Sequence, residues 1–156
     1  MAPILRRVVR RWGSERGAEF VEFALAFPLL LLVVLGIMDF GLMFQQYEVI
    51  TNAAREGARL ASLPAYQNST DVAARVNQYI TASFLSGGGT VGVTGPTTGT
   101  ISVGGGKCVS TVTVQVTYPN QFLFVSGIMG YFGGSMGTKT LTGSSTMRTE
   151  IAAAGC

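Results

Sequence analysis

The sequence has no histidine and only two cysteines, Cys108 and Cys156. A histidine-based catalytic triad, a histidine-ligated zinc site and a four-cysteine zinc site are therefore excluded. Charged residues are also scarce, since they make up 12% of the 156 residues, compared with roughly 25% in soluble domains. We expect a protein that is not an enzyme, has no metal site and no cofactor, and differs from an ordinary soluble globule.

The positive charge of the chain is concentrated at its start. The formal net charge is +3, and five of the eleven basic residues lie within the first 17 residues. Together with Glu15 they give this segment a charge of +4, which leaves −1 for the rest of the chain. We therefore interpret residues 1–17 as a basic leader and expect no nucleic-acid partner. The five residues are Arg6, Arg7, Arg10, Arg11 and Arg16.

An apolar run follows the leader and is long enough to cross a membrane. From Phe23 to Phe44 the only charged residue is Asp39. As a helix this run spans about 33 Å, and the hydrocarbon core of a bilayer is about 30 Å thick. The arginines before it indicate a cytoplasmic N-terminus. We predict a single-pass protein of the cytoplasmic (inner) membrane, with residues 18–44 as a transmembrane helix in contact with lipid and residues 45–156 as a periplasmic or extracellular domain.

A cleaved secretory signal is the competing interpretation, because a basic region followed by an apolar stretch is also typical of such a peptide. After the apolar residues 29–38, however, the chain continues DFGLMFQQYE. This continuation has no small-x-small step at which a signal peptidase cuts, and its residues are compatible with a helix. The sequence therefore favours a helix that continues beyond the apolar run.

Two carboxylates in this region, Glu22 and Asp39, need an explanation, because an ionised side chain at the centre of a bilayer costs at least about 2.5 kcal/mol. They are 17 residues apart, which is about 25 Å along a helix. Both can therefore lie near opposite interfaces and reach water, and we expect this position for Asp39. For Glu22 the local sequence allows a second interpretation.

Glu22 lies at a fixed spacing from a glycine that follows the arginines. Gly17 is followed by AEFV and then by Glu22 and Phe23. This pattern resembles the prepilin-peptidase site of the type IV pilin superfamily, in the G-xxxx-E-F/Y form of the Flp-pilus branch. The resemblance implies cleavage after Gly17, with Ala18 as the new N-terminus and with Glu22 and Phe23 as assembly residues. The new α-amino group can pair with a carboxylate of a neighbouring subunit and so set the register of two helices, although a buried pair is not automatically stabilising.

The stretch GIMDFGLMFQQYEVITNAAREGARLAS extends this resemblance to the TadE-like family of pilus-assembly pseudopilins. The family pattern has an acidic residue and Phe-Gly at the end of the membrane run, followed by an N-A-A-R-E-G-A-R segment. The resemblance is close over residues 17–62, and the final SSTMRTE is similar to the last strand of the family. The positions that carry the pattern are Asp39, Phe40, Gly41, Asn52, Arg55, Glu56, Gly57 and Arg59.

The resemblance implies a structural role, namely a minor pseudopilin that primes or caps a tight-adherence (Flp) pilus. The implied partners are other pilins and pseudopilins, a prepilin peptidase and the inner-membrane pilus-assembly platform. The alternative is a permanently anchored extracytoplasmic adaptor or ligand-binding module that is not processed. A membrane-anchored enzyme is disfavoured, because the titratable residues outside the membrane run show no recognisable spacing.

We predict an α+β fold with a long N-terminal helix that continues outside the membrane to about Ser62. The helical period persists past Phe44. On the outer part of this helix, small residues either allow the close approach of another backbone or face the protein's own sheet, and the sequence leaves both possibilities open. These residues are Ala53, Ala54, Gly57, Ala58 and Ala61.

A second, shorter helix and a small antiparallel sheet complete the predicted fold. The helix is expected to start at a cap among Ser69, Thr70 and Asp71 and to end at Ser86. Alternating residues from Cys108 to Tyr118 predict a half-buried strand, which pairs with a last strand over 139–151. The segment GGGKC is interpreted as a turn, and residues 122–132 as a surface loop, a short helix, or a patch on lipid or a partner.

The two cysteines both lie on the predicted oxidising side, so a disulfide between Cys108 and Cys156 is permitted. It would close a loop of about 49 residues and contribute roughly 4 kcal/mol in the chain-entropy model. Two unpaired thiols are the alternative.

Overall fold

The computed structural model describes residues 15–83, 89–131 and 133–149. The leader up to residue 14, Ser86 and Cys156 lie outside these ranges. The predicted α+β fold is confirmed, with three α-helices and a three-stranded antiparallel sheet in the described residues. The helices are α1 (Glu15–Ala61), α2 (Ser69–Ala82) and α3 (Phe124–Tyr131), and the strands are β1 (Gly92–Ser102), β2 (Cys108–Asn120) and β3 (Lys139–Arg148).

Helix α1 is a single helix of 47 residues, about 70 Å long. Pro28 lies inside it without ending it. The helix ends at Ala61, and Leu63 has an extended backbone in front of Pro64, because a residue that precedes a proline is disfavoured in the helical region. A short 3-10 helix, Pro64–Tyr66, leads to α2. The predicted long helix is therefore confirmed from Glu15, the first residue that the structure describes, to Ala61.

The two halves of α1 have different surroundings. Every residue from 17 to 34 is exposed, whereas from Asp39 onward one face of the helix is buried. The buried residues recur at three-, four- and seven-residue steps, which is the spacing of one helical face. We call the part of the protein that covers this face the head; it comprises α2, α3 and the sheet. The buried residues of α1 are Asp39, Gln46, Ile50, Ala53, Ala54, Gly57, Ala58 and Ala61.

Strand β2 is the centre of the sheet, with β1 and β3 antiparallel on either side. Val116, for example, lies opposite Val93 of β1 and Gly143 of β3. Val112, Val114, Val116 and Tyr118 are buried on the face that meets the helices. The predicted alternation of β2 and its pairing with the last strand are therefore confirmed.

Glycines allow α1 and the head to pack very closely on each other. A Cβ atom on Gly57 would lie 2.8 Å from Cγ2 of Val76 in α2, and one on Gly143 would lie 2.9 Å from the Cα of Thr51 in α1. The small residues of the outer half of α1 are thus buried against the protein's own α2 and sheet. The alternative that they are open to the backbone of another molecule is wrong for Ala53, Ala54, Gly57, Ala58 and Ala61.

The connections differ from the sequence expectations in two details. The N-cap of α2 is Asn68, whose side-chain oxygen accepts a hydrogen bond of 2.7 Å from the Asp71 N–H, so none of the three predicted cap residues has this role. Helix α2 ends at Ala82, four residues before the predicted end. The glycine-rich turn is confirmed, because Gly104, Gly105 and Gly106 all have positive φ angles between β1 and β2.

Candidate assembly interface

The N-terminal half of α1 presents an apolar surface on all sides. The predicted cleavage and assembly residues Gly17, Ala18, Glu22 and Phe23 are all exposed on it. The ring of Phe23 lies against that of Phe27, with 5.4 Å between their centroids. The whole stretch can therefore contact lipid or the helices of other subunits, and Glu22 is the carboxylate closest to the start of its apolar run.

The predicted cleavage bond, between Gly17 and Ala18, lies in the first turn of α1. Glycine lowers helix stability by about 1 kcal/mol relative to alanine. Gly17 therefore lowers the free-energy cost of local unwinding that exposes this bond to a peptidase.

Glu22 forms no ion pair or hydrogen bond within the described part of the chain. It is separated from Asp39 by 17 residues, about 25 Å along the helix axis. The two carboxylates that interrupt the apolar part of α1 therefore belong to different environments and have to be explained separately.

Asp39 is buried, with 3% of its surface exposed. Its carboxylate accepts hydrogen bonds from three successive backbone N–H groups at the start of α3. The distances are 3.0 Å from Leu123 N, 3.1 and 3.2 Å from Phe124 N and 2.7 Å from Val125 N. The expectation that Asp39 reaches water near an interface is wrong, because α3 covers it.

This arrangement is a helix cap supplied by a distant residue. Three of the N–H groups that α3 cannot satisfy internally bond to Asp39, and the negative charge lies at the positive end of the helix dipole. Next to it, the rings of Phe40 and Phe122 meet edge to face at 6.1 Å. Together these contacts fix α3 to the outer end of the apolar run.

Two features of the sequence indicate this contact between Asp39 and the start of α3. An ionisable residue in an apolar helix is expected to face a protein partner. The residues directly before α3, Phe122 and Leu123, have no polar side chain that could cap it. An uncapped apolar helix and a carboxylate without a partner fit together, although they are 84 residues apart.

The polar residues of the outer family pattern divide between two faces of α1. Arg55 donates to the side-chain oxygen of Asn52 at 3.3 Å on the exposed face. Glu56 is half-buried and pairs with Arg75 of α2 at 3.3 Å and with Arg59 at 3.6 Å. The pattern therefore combines tight packing at Gly57 with an ion pair that joins α1 to α2.

The glycine of the Phe-Gly pair has no such packing role against the described residues. A Cβ atom on Gly41 would have no neighbour within 4 Å. The same is true of Gly36, five residues earlier. Both glycines lie in the region where the exposed half of α1 meets the head.

Cys108 is disulfide-bonded at the start of β2. Its predicted partner, Cys156, lies outside the described residues, so the pairing stays a prediction. Among the described residues, no three His, Cys, Asp or Glu side chains are grouped closely enough to hold a metal ion.

Comparison with known families supports the motif at the N-terminal half of the chain. Residues 17–59 match the sequence model of the TadE-like protein family. This segment is TadE-like. The match begins at the predicted cleavage residue, Gly17, and includes Glu22, Asp39 and the Asn52–Arg59 pattern. Comparisons with curated proteins and with solved structures gave no significant match.

The predicted TadE-like resemblance is therefore confirmed for residues 17–59, and this family suggests involvement in Tad pilus assembly. The TadE-like segment coincides with most of α1, the one helix in the described residues that is long and apolar enough to cross a membrane. The chain thus fits a single-pass membrane protein.

Proposed function

We propose that this protein is a minor pseudopilin that primes or caps a tight-adherence pilus after a prepilin peptidase cleaves it between Gly17 and Ala18. The observation that carries the proposal is the exposed apolar half of α1, which starts at the TadE-like cleavage pattern and has Glu22 near its N-terminal end. The basic leader supports an N-terminus in the cytoplasm and a head on the outer side of the inner membrane.

In this proposal the exposed apolar half of α1 contacts two environments in succession. While the protein is in the membrane, the apolar side chains of residues 18–38 contact lipid. During assembly they contact the helices of other pilins and pseudopilins, which are equally apolar, so the exchange exposes little apolar surface to water. The head remains outside and is held to α1 by its own core.

Cleavage adds the polar element that apolar contacts lack. It removes a segment of charge +4, which is costly to bring into a helix bundle, and it creates an α-amino group on Ala18. In the proposed filament this cation pairs with Glu22 of a neighbouring subunit, as the spacing of the cleavage pattern implies. Because an unpaired charge in apolar surroundings is strongly unfavourable, helices that are out of register are rejected.

Substitution of Glu22 tests this role, and Glu19 provides a matched control. Both carboxylates are exposed on the first turns of α1, three residues apart. We expect Glu22→Gln to abolish pilus assembly, or the incorporation of this protein into pili, as measured on pili sheared from the cells. Glu19→Gln should leave both near the wild-type level. Both variants should still be processed and inserted in the membrane, which separates assembly from maturation.

Equal pilus formation by wild type and Glu22→Gln would contradict the proposed pairing. Loss of assembly in both variants to the same degree would also contradict it, because the effect would then reflect general negative charge at the start of the helix.

A further inference from the structure

Helix α3 is fixed at a defined depth along α1. Its first N–H groups bind Asp39, so its N-terminus lies level with that residue. The residues between the predicted new N-terminus, Ala18, and Met38 form about 31 Å of helix, which equals the thickness of the hydrocarbon core. If the hydrocarbon core of the membrane instead extends to Phe44, as the apolar run allows, the N-terminus of α3 lies deeper in the membrane. The first position places the N-terminus of α3 at the outer boundary of the hydrocarbon core, and the second places it about 7 Å inside that boundary, so α3 contacts the membrane in both.

The segment around α3 has the composition of a membrane-surface element. No charged residue occurs between Lys107 and Lys139. Leu123, Met129 and Tyr131 are exposed, and Tyr131 is the most open of them at 87%. Tyrosine is enriched at the headgroup level of membranes, where its ring contacts apolar chains and its hydroxyl contacts water.

The cap supplied by Asp39 fits the same location. A helix end that faces water can satisfy its free N–H groups with solvent, but a helix end at membrane depth has to satisfy them within the protein. Three N–H groups at the start of α3, those of Leu123, Phe124 and Val125, bond to a carboxylate from the membrane helix itself. The polar groups at this end of α3 are therefore compatible with contact to lipid.

We propose that α3 lies on the outer surface of the same membrane that α1 crosses, with Leu123, Met129 and Tyr131 at the boundary between headgroups and acyl chains. The proposal rests on the membrane placement of α1 in the proposed function. It gives the head a second attachment to lipid, which orients the head on the membrane before assembly. Entry into a filament then requires α3 to leave the lipid surface.

Depth-dependent fluorescence quenching tests this directly on the full chain in phosphatidylcholine vesicles, with and without bromine on the acyl chains. The single tryptophan, Trp12, is replaced by phenylalanine, and one new tryptophan is introduced per variant. Tyr131→Trp reports on α3, and Leu30→Trp reports on the exposed apolar part of α1. The matched control is Ile101→Trp, at an exposed site of β1.

Ile101 is a suitable control because of its distance from α3. It lies opposite Val109 of β2, and Val109 is eleven residues from Asn120 at the end of β2 that leads to α3. This separation is about 36 Å along the strand. Circular dichroism and thermal unfolding check that the three variants retain the fold.

We expect brominated lipid to quench the Leu30→Trp variant strongly and the Tyr131→Trp variant clearly, and to leave the Ile101→Trp variant unquenched. The emission of the Tyr131→Trp variant should also be shifted to the blue relative to that of the control. If the variant in α1 is quenched but the variant in α3 behaves like the control in β1, the inference is wrong while the membrane span of α1 stands.

Two further results would also overturn the inference. Blue-shifted emission of the Tyr131→Trp variant without quenching by brominated lipid would mean that protein covers α3. Absence of quenching in the Leu30→Trp variant would show that α1 does not span the membrane, and the placement of α3 on that membrane would then be wrong as well.

Discussion

Replacement of Asp39 by alanine should release α3 from α1. The carboxylate accepts hydrogen bonds from three backbone N–H groups, and the residue is only 3% exposed. Hydrogen bonds to a charged group contribute about 1.5–3 kcal/mol each. Leu123 is more than half exposed, so water can replace part of what is lost. We therefore expect the free energy that holds α3 on α1 to fall by about 3 kcal/mol, which is the lower limit for two such bonds.

Amide hydrogen exchange at residues 123–125 is the appropriate assay, because α3 can detach without unfolding of the whole head. A loss of about 3 kcal/mol corresponds to a decrease in protection of roughly 100-fold, since about 1.4 kcal/mol equals a factor of ten. Asp39→Asn keeps the shape and one acceptor oxygen but loses the charge. In Asp39→Asn the protection of these amides should fall by about tenfold, which corresponds to about 1.4 kcal/mol and lies between the wild type and Asp39→Ala.

Glu22→Ala is the control, because it removes a carboxylate from the same helix without contact to α3. Exchange at residues 123–125 should be unchanged in it. If Asp39→Ala also leaves these amides as protected as in the wild type, the carboxylate does not hold α3, and the explanation given for its burial is wrong.

Two further predictions concern the stability of the head. Gly57→Ala places a Cβ atom 2.8 Å from a stiff valine side chain, whereas Gly41→Ala meets nothing within 4 Å. Overpacking of this kind costs about 1–3 kcal/mol, so Gly57→Ala should lower the unfolding midpoint in urea while Gly41→Ala leaves it equal or higher; equal effects of the two would refute the packing argument. Cys108→Ser and Cys156→Ser should each destabilise the oxidised protein by up to about 4 kcal/mol and have no additive effect when combined. Additive losses, or two free thiols in the oxidised wild type by mass spectrometry, would contradict the predicted pairing.

The features that the sequence predicted well are those that depend on local patterns. The length of α1 follows from helix-compatible residues that continue up to Leu63 and Pro64, where the backbone becomes extended. The alternation of valines in β2 identifies its buried face, since side chains of a strand point alternately to its two sides. The glycine turn before Lys107 follows from the need for positive φ angles.

The features that the sequence left open or predicted wrongly depend on contacts between distant segments. A stripe of small residues shows that something packs closely on α1, but only the fold identifies it as Val76 and the sheet. The burial of Asp39 depends on residues 123–125, and nothing in its own neighbourhood indicates them. The cap of α2 was assigned to the wrong residue because four successive residues, Asn68 to Asp71, all have side chains that can cap a helix.

The central claim is that the exposed apolar half of α1 becomes an assembly surface once the basic leader is removed. Intact mass and N-terminal sequence of the protein, isolated from cells with and without the prepilin peptidase, test it most directly. We predict a chain that starts at Ala18 when the peptidase is present and one that keeps the arginine-rich leader when it is absent. A chain that keeps the leader in both cells would contradict the claim and favour a permanently anchored adaptor.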